Sequence, residues 1–170
     1  MHGLNHGPLT GNLKYDARHL FREAGIPYTR LHDVEYPYGS GEYVDIPCIF
    51  KNFDADVEDP ASYNFDLTDD YMEAITETGC KPLYRLGVSI EHPAKKRYIY
   101  PPRNYLKWAK ICEHVIRHYN EGWADGFHMD IGYWEIWTEP NHCKKENPLM
   151  WGGDMPEFAR FYDADGPFLG

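Results

Sequence analysis

Short apolar runs of strand character alternate along this chain with longer stretches of helical periodicity. The first run lies near residues 1–5 and gives way to a Gly- and His-rich loop ending at Gly11. Tyr15 to Ala24 then sets Leu20, Phe21 and Ala24 at helical spacing and stops at Gly25, a residue suited to the left-handed turn past a helix end. Pro27 opens a second strand, Tyr28-Thr29-Arg30-Leu31-His32-Asp33. Residues 34–66 are irregular. Thr68 is predicted to cap a second helix with Tyr71, Met72, Ala74 and Ile75 on its apolar side and Gly79 closing it. Pro82-Leu83-Tyr84-Arg85-Leu86-Gly87-Val88 reads as a third strand. The longest helix begins at Pro101-Pro102 and runs to about Asn120, with Leu106, Ala109, Ile111, Cys112, Val115, Ile116 and Tyr119 recurring every three or four residues. A fourth strand falls in Tyr133-Trp134-Glu135-Ile136-Trp137-Thr138-Glu139, and a short helix spans Pro156 to about Asp163.

Strand-helix alternation without a solenoid repeat implies an α/β fold on a parallel sheet, with residues 1–170 as one domain. Side-chain parity sharpens this. Tyr28, Arg30 and His32 share one side of the second strand, Leu83, Arg85 and Gly87 one side of the third, and Glu135, Trp137 and Glu139 one side of the fourth. The opposite sides, Thr29 and Leu31, then Tyr84, Leu86 and Val88, then Trp134 and Ile136, are apolar enough to lie under helices. Charges gathered on one side suit a barrel lumen better than a doubly wound sheet, whose central strands are apolar on both faces. Buried there, Arg30, Arg85 and Glu135 are expected to neutralise one another. A complete (β/α)8 TIM barrel takes roughly 250 residues. This chain therefore reads as a TIM-barrel type cut to about its first four β/α units.

Composition narrows the partners. The 27 acidic residues against 17 basic ones leave a net charge of −10, which disfavours nucleic acid. Aromatic residues make up 16% of the chain, a supply of flat rings that suits stacking on sugar faces. No apolar run approaches the roughly 18 residues of a membrane span, and no basic start followed by an apolar stretch suggests a secretory signal. Cys48, Cys80, Cys112 and Cys143 form no CxxC pair and read as reduced thiols in a cytoplasmic protein. His114 and His118 stand at i, i+4 without the HExxH order, so solvated helix histidines are the reading and neither a metal nor another cofactor is expected.

The chemistry concentrates where the fourth strand ends. Pro140 cannot donate to a ladder and biases Glu139 towards extended backbone, so the strand should stop with a carboxylate at its carboxyl end. That is where barrels of this type place catalytic groups. Trp134-Glu135-Ile136-Trp137-Thr138-Glu139-Pro140 resembles the strand-4 signature of retaining glycoside hydrolases of TIM-barrel clan A, usually Trp-Asn-Glu-Pro. The likeness is strongest to family 39, the β-xylosidase and α-L-iduronidase group. Thr29-Arg30-Leu31-His32-Asp33 resembles that family's Arg-x-His-Asp strand, and Lys81 to Gly87 its third strand.

The resemblance implies a β-xylosidase-like glycosidase with Glu139 as general acid/base, Arg30 supporting the carboxylates and His32 touching the sugar at the cleavage point. Thr138 stands where Asn is expected to contact the sugar 2-hydroxyl, and offers one donor where an amide offers two. Tyr38, Trp137 and Trp151 are expected stacking platforms, and Trp137 with Tyr133 is expected to surround Glu139 with aromatic rings. The clan's nucleophile ends strand 7. Only Glu146 and Glu157 follow Glu139 here, and Glu135 lies about 13 Å down the strand, so the nucleophile is expected to be missing from this chain. The rival readings are an inactive carbohydrate-binding half barrel and a homodimer closed edge to edge.

Overall fold

The computed structural model describes residues 2–10, 15–32, 34, 43–90, 95–142 and 148–165. In chain order its elements are β1 (Leu4–Asn5), β2 (Leu9–Thr10), β3 (Tyr15–Asp16), α1 (Arg18–Ala24) and β4 (Tyr28–Arg30). They continue with α2 (Ile46–Ile49), a 3-10 turn (Pro60–Ser62), α3 (Asp66–Thr76), β5 (Lys81–Leu86), α4 (Tyr105–Glu121), β6 (Trp134–Ile136) and α5 (Met155–Asp165). The strands β1, β4, β5 and β6 form one parallel sheet in that order.

The register bears out the parity of the central strands. Arg30 pairs with Leu83, and Arg85 with Glu135, so these four share a face. The opposite face carries Thr29, Tyr84 and Leu86, all at most 1% exposed, and receives the helices. There Met72 and Ile75 of α3 and Ile111, Val115 and Tyr119 of α4 complete the core. Tyr84 sits between Tyr119 and Trp134, and its hydroxyl donates to the Val44 carbonyl at 2.9 Å. Burial holds that phenol far above the ordinary tyrosine range.

Several ends follow local chemistry. Gly25, at φ 58°, closes α1 in a Schellman turn with Ile26 N–H on the Phe21 carbonyl at 3.2 Å. The long helix starts at Tyr105 rather than at Pro101 because Asn104 caps it, its Oδ1 accepting from Lys107 N–H at 3.0 Å. On that helix Leu106 turns outward at 66% exposure, and Trp108 takes the inward place. Thr68 caps nothing: it is buried in the first turn of α3 and donates to the Tyr43 carbonyl. The pattern also passes over the antiparallel pair β2–β3, whose two-residue strands are too short to show alternation. Among the described residues no helix is long and apolar enough to cross a membrane.

Candidate active site

The end of β6 departs from a simple strand, and the departure builds the site. Trp137 N–H still donates to the Leu86 carbonyl at 3.0 Å, but its φ of 63° lies in the left-handed region. Gly87 makes this approach possible, since a Cβ there would stand 2.8 Å from the Trp137 Cα. The reversal breaks the period-2 alternation and throws the indole to the helix side. There it lies against Trp108, Trp151 and Phe161 and donates from Nε1 to the Met150 carbonyl at 2.7 Å. The next residue, Thr138, consequently falls on the face that carries Arg30.

Arg30 is the node of that face. Its Nε and Nη2 grip Glu135 with a two-pronged contact at 2.6 and 2.7 Å, and Nη2 also donates to Thr138 Oγ1 at 3.1 Å. Such a fork fixes the guanidinium plane as well as its charge. Arg30 and Glu135 remain 25% and 29% exposed, so the pair is wetted from one side. Glu139 follows at φ 41°, not in the extended conformation expected before proline, a geometry that costs roughly 1 kcal/mol in a residue with a Cβ. Its carboxylate is about half exposed, 3.4 Å from Nδ1 of His142.

Arg85 does not join this group. Its Nη2 donates to Asp45 at 2.6 Å and to Ser89 at 2.7 Å, while Ser89 returns two hydrogen bonds to the same carboxylate. All three residues are at most 2% exposed. The cluster pins the segment entering α2 to the end of β5. His32, just past β4, has its ring 6.0 Å from that of His6, just past β1.

Glu139 thus stands past the carboxyl end of β6, the end where barrels of this type carry their polar groups, next to the threonine that Arg30 holds. The family model for glycosyl hydrolases family 39 matches residues 13–167. The chain belongs to that family. Among solved structures, a glucosidase from Croceicoccus marinus is similar to it at 26% identity and a TM-score of 0.75, over 99% of this chain and 33% of the glucosidase. Among curated proteins none matches the chain significantly. The family 39 chain thus spans about a third of the length of that glucosidase, and its fold is that of the first four β/α units of a TIM barrel.

Against this family frame the sequence expectations divide. Arg30 reaches Thr138, the residue before Glu139, at one end of the sheet, and His32 follows the strand that carries Arg30, with β5 between that strand and β6. Trp137 and Trp151 are each 0% exposed and present no ring face to a sugar; they pack on each other and on α5 because the chain reverses at Trp137. Tyr133 packs edge-on against Tyr28 at the amino ends of the strands, away from Glu139. Tyr38 and Glu146 lie outside the described residues. Glu157 sits on α5 and accepts from the Tyr105 hydroxyl. His114 and His118 are buried rather than solvated, each with both ring nitrogens engaged, His114 by Lys110 and Glu58, His118 by Trp123 and Asp69. The sequence reading weighed His142 only as a metal ligand and did not connect it to Glu139, and it passed over Asp45. A histidine three residues past the motif carboxylate was a readable signal for the first. Nothing local pointed to the second.

Proposed function

We propose that this chain carries the acid/base part of a retaining glycosidase site that cleaves O-glycosyl bonds in β-xylosidase fashion, with Glu139 as the general acid/base. The observation that carries the reading is the hydrogen bond from Arg30 to Thr138, immediately before Glu139, in a family 39 chain. In the first step Glu139 gives its proton to the leaving-group oxygen while a carboxylate attacks the anomeric carbon. In the second it takes a proton from the water that releases the sugar. The two carboxyls must stand about 5–5.5 Å apart. Among the described residues the other carboxylates on this face of the sheet, Glu135 and Asp45, are bound to Arg30 and Arg85, so the nucleophile is assigned to a part of the protein beyond these residues. Arg30 and His32 line the sugar site. Thr138, 2% exposed, contributes from beneath by holding Arg30.

The reading takes residues 1–170 as one catalytic-domain unit. It places the protein in the cytoplasm, where a thiol such as Cys80, pushed up to about 11 by burial, stays reduced. The test is turnover of aryl β-xylosides and aryl β-glucosides by this chain and by a protein carrying the rest of the barrel. Glu139→Gln is expected to lower kcat at least about 100-fold with the fold intact. Full activity in Glu139→Gln overturns the assignment.

A second reading draws on β1 and β6, which flank the sheet with outer edges that no described strand pairs. In it two chains close edge to edge as a carbohydrate-binding homodimer without hydrolysis. A dimer by size-exclusion mass that binds sugar without turnover favours this reading. An active monomer excludes it.

A further inference from the structure

Trp137 and Trp151 commit their rings to the core, so a sugar at this end of the sheet finds a platform in neither. Tyr100 stands in the segment between β5 and α4, at the same carboxyl end as Glu139. Its backbone is held from both sides. Ile99 is 0% exposed, and its carbonyl accepts from Gly152 N–H at 2.9 Å. Pro101 follows and restricts the Tyr100 backbone as well. The ring itself is seated on Gly152: a Cβ added there would stand 2.6 and 3.0 Å from its Cδ1 and Cε1. Tyr100 is nevertheless 54% exposed. One side of the ring thus rests on bare backbone and the rest is open to water. Gly152 lies three residues past Leu149, at most roughly 11 Å of chain. Leu149, 44% exposed, donates from its N–H to the His142 carbonyl at 3.0 Å, and the His142 ring stands 3.4 Å from the Glu139 carboxylate. A strip of surface therefore leads from Glu139 past Leu149 to Tyr100, built by the chain that follows β6 and precedes α4. Arg30 and His32 belong to β4 and its end, with β5 between them and β6.

We infer that Tyr100, seated on Gly152, is the platform for the leaving-group ring of the substrate, a β-linked pyranose. This rests on the acid/base reading above. A general acid donates to the leaving-group oxygen, so surface beyond it, away from the residues that hold the cleaved sugar, meets the leaving group. A pyranose with equatorial hydroxyls presents axial C–H groups on its faces, and these pack on an aromatic ring as apolar surface does. A single exposed tyrosine is ordinary on a protein surface. Tyr100 differs in the glycine beneath its ring, which fixes the ring without covering it, and in its place on the strip from Glu139. A ring fixed in advance loses little freedom when a sugar lands on it.

Xylobiose and methyl β-xyloside share one sugar ring and differ in whether a second ring follows the glycosidic oxygen. Titrating the whole chain with each, followed by backbone amide NMR shifts, measures what that second ring adds. Xylobiose should bind about tenfold more tightly than methyl β-xyloside. Tyr100→Ala should reduce the gap to less than about twofold, and Tyr100→Phe should keep it, since the ring and not the hydroxyl carries the contact. Gly152→Ala should shrink the gap too, because the new Cβ drives the ring from its seat. Methyl β-xyloside should bind all three variants as it binds the parent, which shows the fold and the rest of the site intact. Equal or undetectable binding of the two sugars by the parent, a gap that survives Tyr100→Ala, or one that disappears in Tyr100→Phe overturns the proposal. The gap is read without hydrolysis, so its absence leaves Glu139 in its role, and the acid/base reading falls only with the turnover of Glu139→Gln.

Discussion

Two arginines on one face of the same sheet, Arg30 on β4 and Arg85 on β5, meet carboxylates in opposite ways. Arg85 and Asp45 have side chains 0% and 3% exposed, and Ser89 donates to both carboxylate oxygens. Arg30 and Glu135 keep about a quarter of their surface in water, and the same guanidinium reaches on to Thr138 beside Glu139. The first pair fastens two segments. The second leaves one side accessible and stands next to a carboxylate at the end of a strand. Burial, not residue type, separates these two ion pairs.

The contrast makes its largest prediction at the dry pair. Asp45→Asn leaves the Arg85 charge uncompensated in the interior and should cost about 3–5 kcal/mol in denaturant unfolding. A loss near that for an exposed pair, below 1 kcal/mol, would erase the distinction.

A second buried polar contact should behave as the dry pair does. Tyr71 accepts from Gly7 N–H, and burial pushes its phenol up to about 12. Because the folded form holds this proton more tightly than the unfolded chain, the stabilisation is complete below the ordinary tyrosine value of about 10. It is lost as pH rises from there towards 12, a change of roughly 2 kcal/mol. Melting curves between pH 9 and 12 check this. Tyr71→Phe should abolish that part of the alkaline loss, while leaving Gly7 N–H unbonded at neutral pH.

At the wetted pair the balance reverses. Glu135→Gln should lower stability by only about 1 kcal/mol, since water already screens the contact. Its effect on hydrolysis should exceed its effect on melting, because Arg30 then loses the fork that aims it. Equal losses in both would place this pair in the same class as Arg85.

The smallest effect concerns backbone strain. At φ 41° a glycine relieves what a side chain suffers, so Glu139→Gly should be more stable than Glu139→Ala by about 1 kcal/mol. Both variants should be inactive in aryl glycoside turnover.

Much of this was legible in the residues. Alternation placed Arg30, Arg85 and Glu135 on one face and Tyr84 and Leu86 on the other, and the strand register agrees. Long-range pairing was not legible. Arg85 was expected to neutralise Glu135, yet it chose Asp45, 40 residues away, because the chain between them folds back over the end of β5. Nor does hydrophobicity encode a dihedral angle. A tryptophan suits a sugar cleft and a core equally, and the left-handed turn at Trp137 decided between them. Thr138 illustrates the reverse: strict alternation would put it with Trp134 and Ile136 under the helices, and the reversal at Trp137 turns it to the face of Arg30 instead.

The Trp137 indole works as a latch between two parts of the molecule. It ties the turn bearing Glu139, through the Met150 carbonyl, to the aromatic cluster shared by α4 and α5. Warming that loosens α5 alone would let the turn drift while the sheet stays folded. Heat should therefore silence this end of the sheet some degrees before it melts the protein.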